Sequence, residues 1–328
     1  MRRRDFIKGI VGSAVAARPY TARAQQPALP VIGFISMGAS DADPGWAAAF
    51  RQGLSEIGYV EGQNVTTEYH WLEGRYDVVP ALITDLVRRR LAVIATPNAT
   101  VSLAAKAATN TIPIVFGVGE DPVKLGLVAS LARPGGNATG INYFLQEVVA
   151  KRLGILLELQ PKPVRIAVLL NPADAAMAES TLREVQEAAR AIALPIHILN
   201  ASTNSEIDAA FATLVSERAD ALFVMANNYF HSRRVQLAVL AARNRIPVIL
   251  PQREFVEAGG LMSYGTDIAD SIRQVGIYTG KVLKGAKPAD LPVVQSTKFE
   301  FVINLQTARS LGIDVPATLL SRADKLIE

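Results

Sequence analysis

The chain has no cysteine among its 328 residues. That excludes disulfides, a thiolate metal site, a cysteine nucleophile and a lipid-modified N-terminal cysteine. Histidine is nearly as scarce, with three copies, His70, His197 and His231. His231 has no serine partner at recognisable spacing, and no nucleophile elbow or Walker loop is present. No His/Asp/Glu cluster has metal-ligand spacing. Gly117-Val118-Gly119 lacks the third glycine of a dinucleotide fingerprint. No apolar run approaches the ~20 residues that cross a bilayer, so direct membrane insertion is not expected. An enzyme has little to stand on here, and no cofactor or metal is expected.

What is present begins at the amino terminus. Arg2-Arg3-Arg4-Asp5-Phe6-Ile7-Lys8 is followed by a short apolar stretch and by Ala22-Arg23-Ala24. A twin arginine, a brief apolar core and an A-x-A cleavage site read as a bacterial export signal over residues 1–24, cut after Ala24. The expected address is the periplasm. The leader also carries the charge: the whole chain is +4, with 34 basic and 30 acidic side chains. Residues 1–24 hold six of the basic and one of the acidic groups, which leaves 28 against 29 and a net −1. The basic balance therefore gives no licence to expect a nucleic-acid partner.

An internal repeat organises the rest. Thr111-Ile112-Pro113-Ile114-Val115-Phe116 returns as Arg245-Ile246-Pro247-Val248-Ile249-Leu250, and Val31 to Ser36 matches Arg165 to Leu170. From Ile32 to Pro113 and from Ile166 to Pro247 the spacing is 81 residues in both copies. Strand and helix signals alternate throughout. Strands are expected at Val31–Ser36, Val65–Tyr69, Ala92–Ala95, Ile112–Phe116, Val164–Leu170, Ile196–Leu199, Ala221–Met225, Ile246–Leu250 and Phe299–Ile303. Helices with apolar stripes lie between them, as in Trp46, Phe50, Leu54 and Ile57. Asp43-Pro44 reads as a helix start, Ser205 with Asp208 as a capping box, and Asp267 as a cap. The fold class is α/β: two similar lobes, each a mostly parallel sheet with helices on both faces. A tail that adds one helix and then one strand suggests that the chain recrosses between lobes. A cleft between two lobes is a preferred place for a small ligand.

Several segments carry a family resemblance: Gly58-Tyr59-Val60-Glu61-Gly62-Gln63-Asn64-Val65, Asp121-Pro122-Val123 through Gly126-Leu127-Val128, and Leu131-Ala132-Arg133-Pro134-Gly135-Gly136-Asn137-Ala138-Thr139-Gly140. Glu257 to Gly265 and Leu283 to Val293 complete the set. In this order over the mature chain they resemble the ABC-transporter substrate-binding proteins of the tryptophan/tyrosine-binding type. The resemblance implies a periplasmic-binding-protein-like type I fold with crossover strands. It implies lobe one at 28–142 plus 265–290 and lobe two at 143–264 plus 291–328. It also implies an importer component that captures a small ligand and delivers it to the membrane subunits of an ABC permease.

Ligands of open α/β sheets bind beyond the carboxyl ends of the strands. Those ends are Ser36–Asp41, Thr96–Thr100, Gly117–Asp121, Asn171–Asp174, Ala226–Tyr229 and Pro251–Glu254, with the crossover Tyr264–Asp267. The expected ligand is an amino acid or other small carboxylate with an apolar or aromatic body. Thr96, Asn98 and Thr100 open a helix and would seat its carboxylate; the same residues also make an ordinary cap and turn. Glu120, Asp121 or Glu254 would face an ammonium, although Asp121-Pro122 is equally a turn signal and Arg253 offers Glu254 an internal partner. Asn227 and Tyr229 would close from lobe two, with Ser36 and Tyr264 at further strand ends. Trp46, Tyr143 and Phe144 are candidate walls, Trp46 being equally a core residue. A rival reading is a sensor module that docks a membrane kinase. Replacing Arg3 and Arg4 with lysine should block export by the twin-arginine route, seen as loss of the mature protein from the periplasmic fraction.

Overall fold

The computed structural model describes residues 29–39, 44–145, 148–159 and 165–328. The leader, Asp41, Asp43 and Val164 lie outside the described residues. The first half builds β1 (Val31–Ser36), α1 (Pro44–Glu56), β2 (Thr66–Trp71), α2 (Val79–Arg88), β3 (Val93–Thr96), α3 (Ala99–Ala108), β4 (Ile114–Val118) and β5 (Ala138–Asn142). The chain then forms α4 (Val149–Leu159), β6 (Ile166–Leu170), α5 (Ala175–Ala191), β7 (Ile196–Asn200), α6 (Asn204–Ser216) and β8 (Ala221–Val224). Next come α7 (Asn228–Ser232), α8 (Arg234–Asn244), β9 (Val248–Leu250), α9 (Arg253–Glu257) and β10 (Met262–Thr266). The tail holds α10 (Ile268–Leu283), β11 (Val294–Gln295), β12 (Phe299–Asn304), α11 (Leu305–Leu311), α12 (Ala317–Leu320) and β13 (Lys325–Ile327).

The strands form two sheets. Read from one edge, the first runs β2-β1-β3-β4-β5-β11 and the second β7-β6-β8-β9-β10-β12-β13. The first five positions correspond one to one, so the repeat in the sequence is a repeat of topology. Among the described strands every ladder is parallel except β10 with β12. Central strands such as β4 and β6 are buried along their whole length. That is why they read as continuous apolar runs rather than alternating ones, as parallel strands covered on both faces do.

The chain passes between sheets three times: after β5, after β10 and after β11. The third passage differs from expectation. β11 pairs with β5 in the first sheet, Val294 beside Ile141, so the return to the second sheet falls after Gln295 rather than at 290/291. Asp290 sits in a short 3-10 turn before it. The three passages are bonded to one another. The Thr266 hydroxyl donates to the Tyr143 carbonyl. Ser296 N donates to Asn142 O at 2.8 Å, and Asp267 N to Lys298 O at 3.1 Å.

Helix α10 returns to the first sheet and lies against α1 with almost no spacing. A Cβ on Gly53 would come within 1.9 Å of Arg273 O, and one on Gly276 within 2.3 Å of Phe50 O. The glycines let the backbones touch where any side chain would force them apart. Arg273 then reaches Glu56 at 2.8 Å.

Local chemistry departs from the expected details in places. The capping box of α6 is Thr203 with Glu206, not Ser205 with Asp208. Ser205 lies inside the helix, and its hydroxyl pairs with that of Thr203 instead. β2 runs on to Trp71, and β4 starts at Ile114 and ends at Val118. β5 was not expected as a strand, because Ala138-Thr139-Gly140-Ile141-Asn142 is small and polar. A Cβ on Gly140 would meet Phe116 O at 2.0 Å, which is why a small residue stands there. Asp267 does cap α10, accepting from Asp270 N at 3.0 Å.

Gly53→Ala should therefore destabilise the protein by about 3 kcal/mol, the upper end of ordinary overpacking. Gly154→Ala, on α4 with nothing within 4 Å of the new methyl, should instead stabilise by up to about 1 kcal/mol through helix propensity. Denaturant melts of the two variants check the contrast.

Candidate functional site

The carboxyl ends of both sheets face each other, and the lobes are in contact there. A cavity of about 470 Å³, including its open mouth, lies between them. Only about 40 Å³ of it is enclosed free space, so the two lobes stand nearly shut upon one another here. Lobe one supplies the turn after β3 (Pro97, Asn98), the end of β4 with its following turn (Gly117 to Glu120) and Trp46 from α1. Lobe two supplies Asp174 and Met177 after β6, Asn227 and Asn228 after β8, and Gln252 after β9. Tyr143 and Leu145 enter from the first crossover.

The glycines of Gly117-Val118-Gly119 are explained by this packing. A Cβ on Gly117 would strike the Tyr143 hydroxyl at 1.7 Å, and one on Gly119 would meet Leu145 at 2.8 Å and Met177 at 2.9 Å. The strand end is stripped of side chains so that crossover and lobe-two groups can approach it.

Two carboxyl groups meet in the cavity, one from each lobe. Glu120 is 4 % exposed, and neither of its oxygens has a hydrogen-bond partner of normal geometry. Burial, and then the negative charge of Asp174, push its pKa up to about 8; the amides of Glu120 and Gly119 oppose this only in part. Asp174 is equally buried but well provided with donors. It accepts from Asn227 Nδ2 at 2.9 Å and from the Thr100 hydroxyl at 3.3 Å. The Tyr76 hydroxyl is a third partner. Burial nevertheless raises its pKa above the usual carboxylate range, so desolvation outweighs these bonds. Two further polar atoms facing the cavity have no partner, the Tyr143 hydroxyl and Asn228 Nδ2. No lysine, arginine or histidine lines the cavity among the described residues.

Contacts flanking the cavity hold the lobes together. Trp46 of α1 stacks on His231 of α7, ring centres 5.5 Å apart and 21° between planes. Asn227 Nδ2 reaches the Tyr76 hydroxyl at 3.5 Å. The Tyr229 ring rests on Gly74, where a Cβ would lie 3.1 Å from it.

The expected site residues divide. Asn98 and Asn227 line the cavity. Both are also caps: Asn98 Oδ1 accepts from Val101 N at 3.0 Å, and Asn227 Oδ1 from Tyr229 N at 3.0 Å. Thr100 reaches the site by donating to Asp174. Thr96 is fully buried at the end of β3, and its hydroxyl has no partner. The remainder lie elsewhere. Ser36 caps its own turn by accepting from Gly38 N at 3.1 Å. Asp121 holds the Pro122 turn, accepting from Val123 N at 2.8 Å. The Tyr229 hydroxyl donates to Asn204 at 2.6 Å, away from the cavity. Glu254 opens α9 over a separate surface groove, and Arg253 pairs with Glu257 and Glu300, both at 2.8 Å, rather than with it. Tyr264 stacks on Phe299 at 6.4 Å beneath the Lys151 ammonium. Phe144 is half-buried outside the lining.

The helix start offered to a ligand carboxylate also lies close to a carboxyl of the protein. Thr100, in the first turn of α3, holds the carboxyl of Asp174 from the opposite lobe. Asp174, Met177 and Gln252 are functional candidates that went unsingled. Asp174 follows Asn171-Pro172, a strand-end turn, and that position was the available signal.

A two-lobed α/β chain with a cavity between its sheets has the architecture of a small-molecule binder, and comparison with known proteins agrees. The profile of the family described as ABC transporter substrate binding protein matches residues 30–327, and this chain belongs to that family, which is one of binding proteins and not an enzyme class. A curated relative from Clostridioides difficile (strain R20291), named a tyrosine-binding protein, is 28% identical over 267 residues, 80% of this chain and 75% of that one. A solved conserved domain protein from Vibrio cholerae superposes with TM-score 0.82 at 26% identity, covering 90% of this chain and 99% of that one. An ABC domain from Streptococcus pneumonia in complex with L-Trp gives TM-score 0.80 at 24% identity over 91% of this chain and 100% of that one. A ligand-free, open substrate binding protein from Clostridium difficile gives 0.63 at 24% identity over 91% and 99%. More distant ligand-binding proteins, among them a myo-inositol binding protein from Caulobacter and a glucose-galactose binding protein from Geobacillus stearothermophilus, share the fold at 11–13% identity.

Because folding raises the Glu120 pKa, the folded state holds a proton that the unfolded chain has lost between pH 4.5 and about 8. Stability from this group should fall as pH rises through that window and level off above it. The difference in melting temperature between the parent and Glu120→Gln, followed from pH 4.5 to 8.5, should carry this slope. A constant difference would remove Glu120 as its source.

Proposed function

We propose that this protein captures a small amine-bearing molecule of the aromatic amino-acid kind between its lobes and delivers it to the membrane subunits of an ABC importer. The observation that carries the reading is the unpartnered, buried Glu120 carboxyl facing Asp174 across the cavity. A protonated amine placed between them would satisfy both with charge-assisted hydrogen bonds. Trp46, Tyr143 and Met177 supply flat and polarizable walls for an apolar body. The tyrosine-binding name of one relative and the L-Trp held by another protein of the same fold support this class of ligand.

The periplasm is the proposed place of work, reached by removal of residues 1–24. No described helix is long and apolar enough to cross a membrane, so delivery depends on docking to separate membrane subunits. Ligand release and capture would proceed by rotation of the lobes about the three bonded crossovers, a hinge closure.

The test is a thermal-shift and calorimetric screen of amino acids, aromatic acids and aromatic amines on the mature protein. A hit should bind one per chain without turnover and stabilise by about 2.7 kcal/mol at a hundredfold excess over Kd. Scattering should show compaction at saturation. If no compound in the panel shifts the melt or the scattering profile, this reading fails.

A further inference from the structure

Four buried polar atoms that line the cavity have no partner of normal geometry: both Glu120 oxygens, the Tyr143 hydroxyl and Asn228 Nδ2. The first two accept hydrogen bonds and the last two donate them. We infer that the Tyr143 hydroxyl and Asn228 Nδ2 receive the carboxylate of an amino-acid zwitterion whose ammonium meets Glu120. The inference rests on the binding reading above and deepens it by giving the carboxylate its place.

Unpaired polar atoms are rare inside proteins, because each forfeits the hydrogen bonds it made in water. A set of both kinds around one cavity matches a guest that carries both kinds of group. A carboxylate offers an oxygen to each donor, and an ammonium offers protons to the Glu120 carboxyl; such bonds are charge-assisted. A plain amine would leave both donors bare. A plain acid would leave Glu120 bare and add a second negative charge beside it. Only a molecule with both groups answers all four atoms.

Tyr143 is suited to this task. It is 4 % exposed, and burial pushes its pKa up, so the hydroxyl keeps its proton and stays a donor. Its oxygen lies against Gly117, where a Cβ would come within 1.7 Å, at the strand end that leads on to Glu120. Its carbonyl accepts the Thr266 hydroxyl, which ties the residue to the second crossover. Asn228 comes from lobe two, beside Asn227, whose own amide is taken up by Asp174 at 2.9 Å. The start of α3 is less open to a carboxylate, since Asn98 Oδ1 already accepts from Val101 N at 3.0 Å. No basic side chain lines the cavity among the described residues, so neutral donors are what remain to hold an anion. The ammonium of the same molecule supplies the counter-charge that a lone buried carboxylate would lack. Glu120 belongs to lobe one, Tyr143 to the first crossover and Asn228 to lobe two. The zwitterion would therefore bridge all three parts of the cleft.

The experiment titrates two series into the mature protein at pH 7.5 by calorimetry. One is L-tyrosine, tyramine and 3-(4-hydroxyphenyl)propionate; the other is L-tryptophan, tryptamine and indole-3-propionate. At least one amino acid should bind about tenfold or more tighter than its amine and its acid. Tyr143→Phe removes the hydroxyl alone and should weaken that amino acid about tenfold to a hundredfold, the range of a bond to a charged group. The amine, followed by displacement where it binds weakly, should change by less than about twofold. Asn228→Ala should give the same contrast. Without ligand, Tyr143→Phe should melt no lower than the parent, because the lost hydroxyl had no partner. A lower melt would assign that hydroxyl a structural role and overturn its part. An amino acid that keeps its affinity in both variants, or an amine weakened as much as its amino acid, overturns the inference and leaves the binding reading standing. If neither amino acid binds the parent protein, the aromatic amino-acid reading fails and this inference with it.

Discussion

Glu120 and Asp174 are taken out of water at one place, and each is carried there by a different lobe. Removing a carboxylate from water is costly even when donors surround it. Asp174 has three such donors and Glu120 only the poorly placed amides of its own residue and Gly119, and burial raises the pKa of both. The remaining features of the cleft can be read against that constraint. Asn227 and Thr100 are placed to hold Asp174. Gly117 and Gly119 clear the space around Glu120. The Trp46 and His231 rings close the edge against solvent, which keeps the dielectric low and makes any charge inside count for more.

The duplicated topology explains why the acids end up opposite each other. β1-β3-β4 in one sheet corresponds to β6-β8-β9 in the other, so both copies present their strand ends at the same boundary. The copies have diverged where the chain crosses. The first sheet gains β11 in parallel, whereas the second gains β12 antiparallel to β10. α10 is the clearest consequence: it follows a strand of the second sheet and packs on a helix of the first. Its contact with α1 runs through backbone rather than side chains at Gly53 and Gly276. That contact fixes the crossover to lobe one as firmly as a strand ladder would.

Much of this was legible in the sequence, for a definite reason. Fully buried parallel strands leave continuous apolar runs, and a repeated spacing of 81 residues reveals the duplication without any structure. The site was legible only in outline. Glu120 and Glu254 stand at matching places in the two copies, 134 residues apart like Ile32 and Ile166. One points into the cavity and the other opens a surface helix, and no local signal separates them. Asn98 and Asn227 serve as caps and cavity lining together, so their cap signature hid their second role. Tyr229 and Tyr264 were expected at the ligand because both stand at strand ends, where ligands of α/β sheets bind. Their rings instead found protein partners, Gly74 for one and Phe299 for the other. Asp174 went unsingled because a carboxylate that docks on the opposite lobe depends on tertiary approach alone.

The Tyr229 ring and Gly74 make a bumper outside the cavity. The ring is moored by its hydroxyl to Asn204, and Gly74 holds a positive φ of 79° in the loop it rests on. The contact lies outside the cavity lining, so in the proposed hinge closure it would set how far the lobes shut rather than what they shut upon. A bulkier loop there would prop the lobes ajar by the same amount for every guest. Affinity would then fall by one common factor while the rank order of guests stayed fixed. In that reading, avidity and choice would be governed from separate seams of the same cleft.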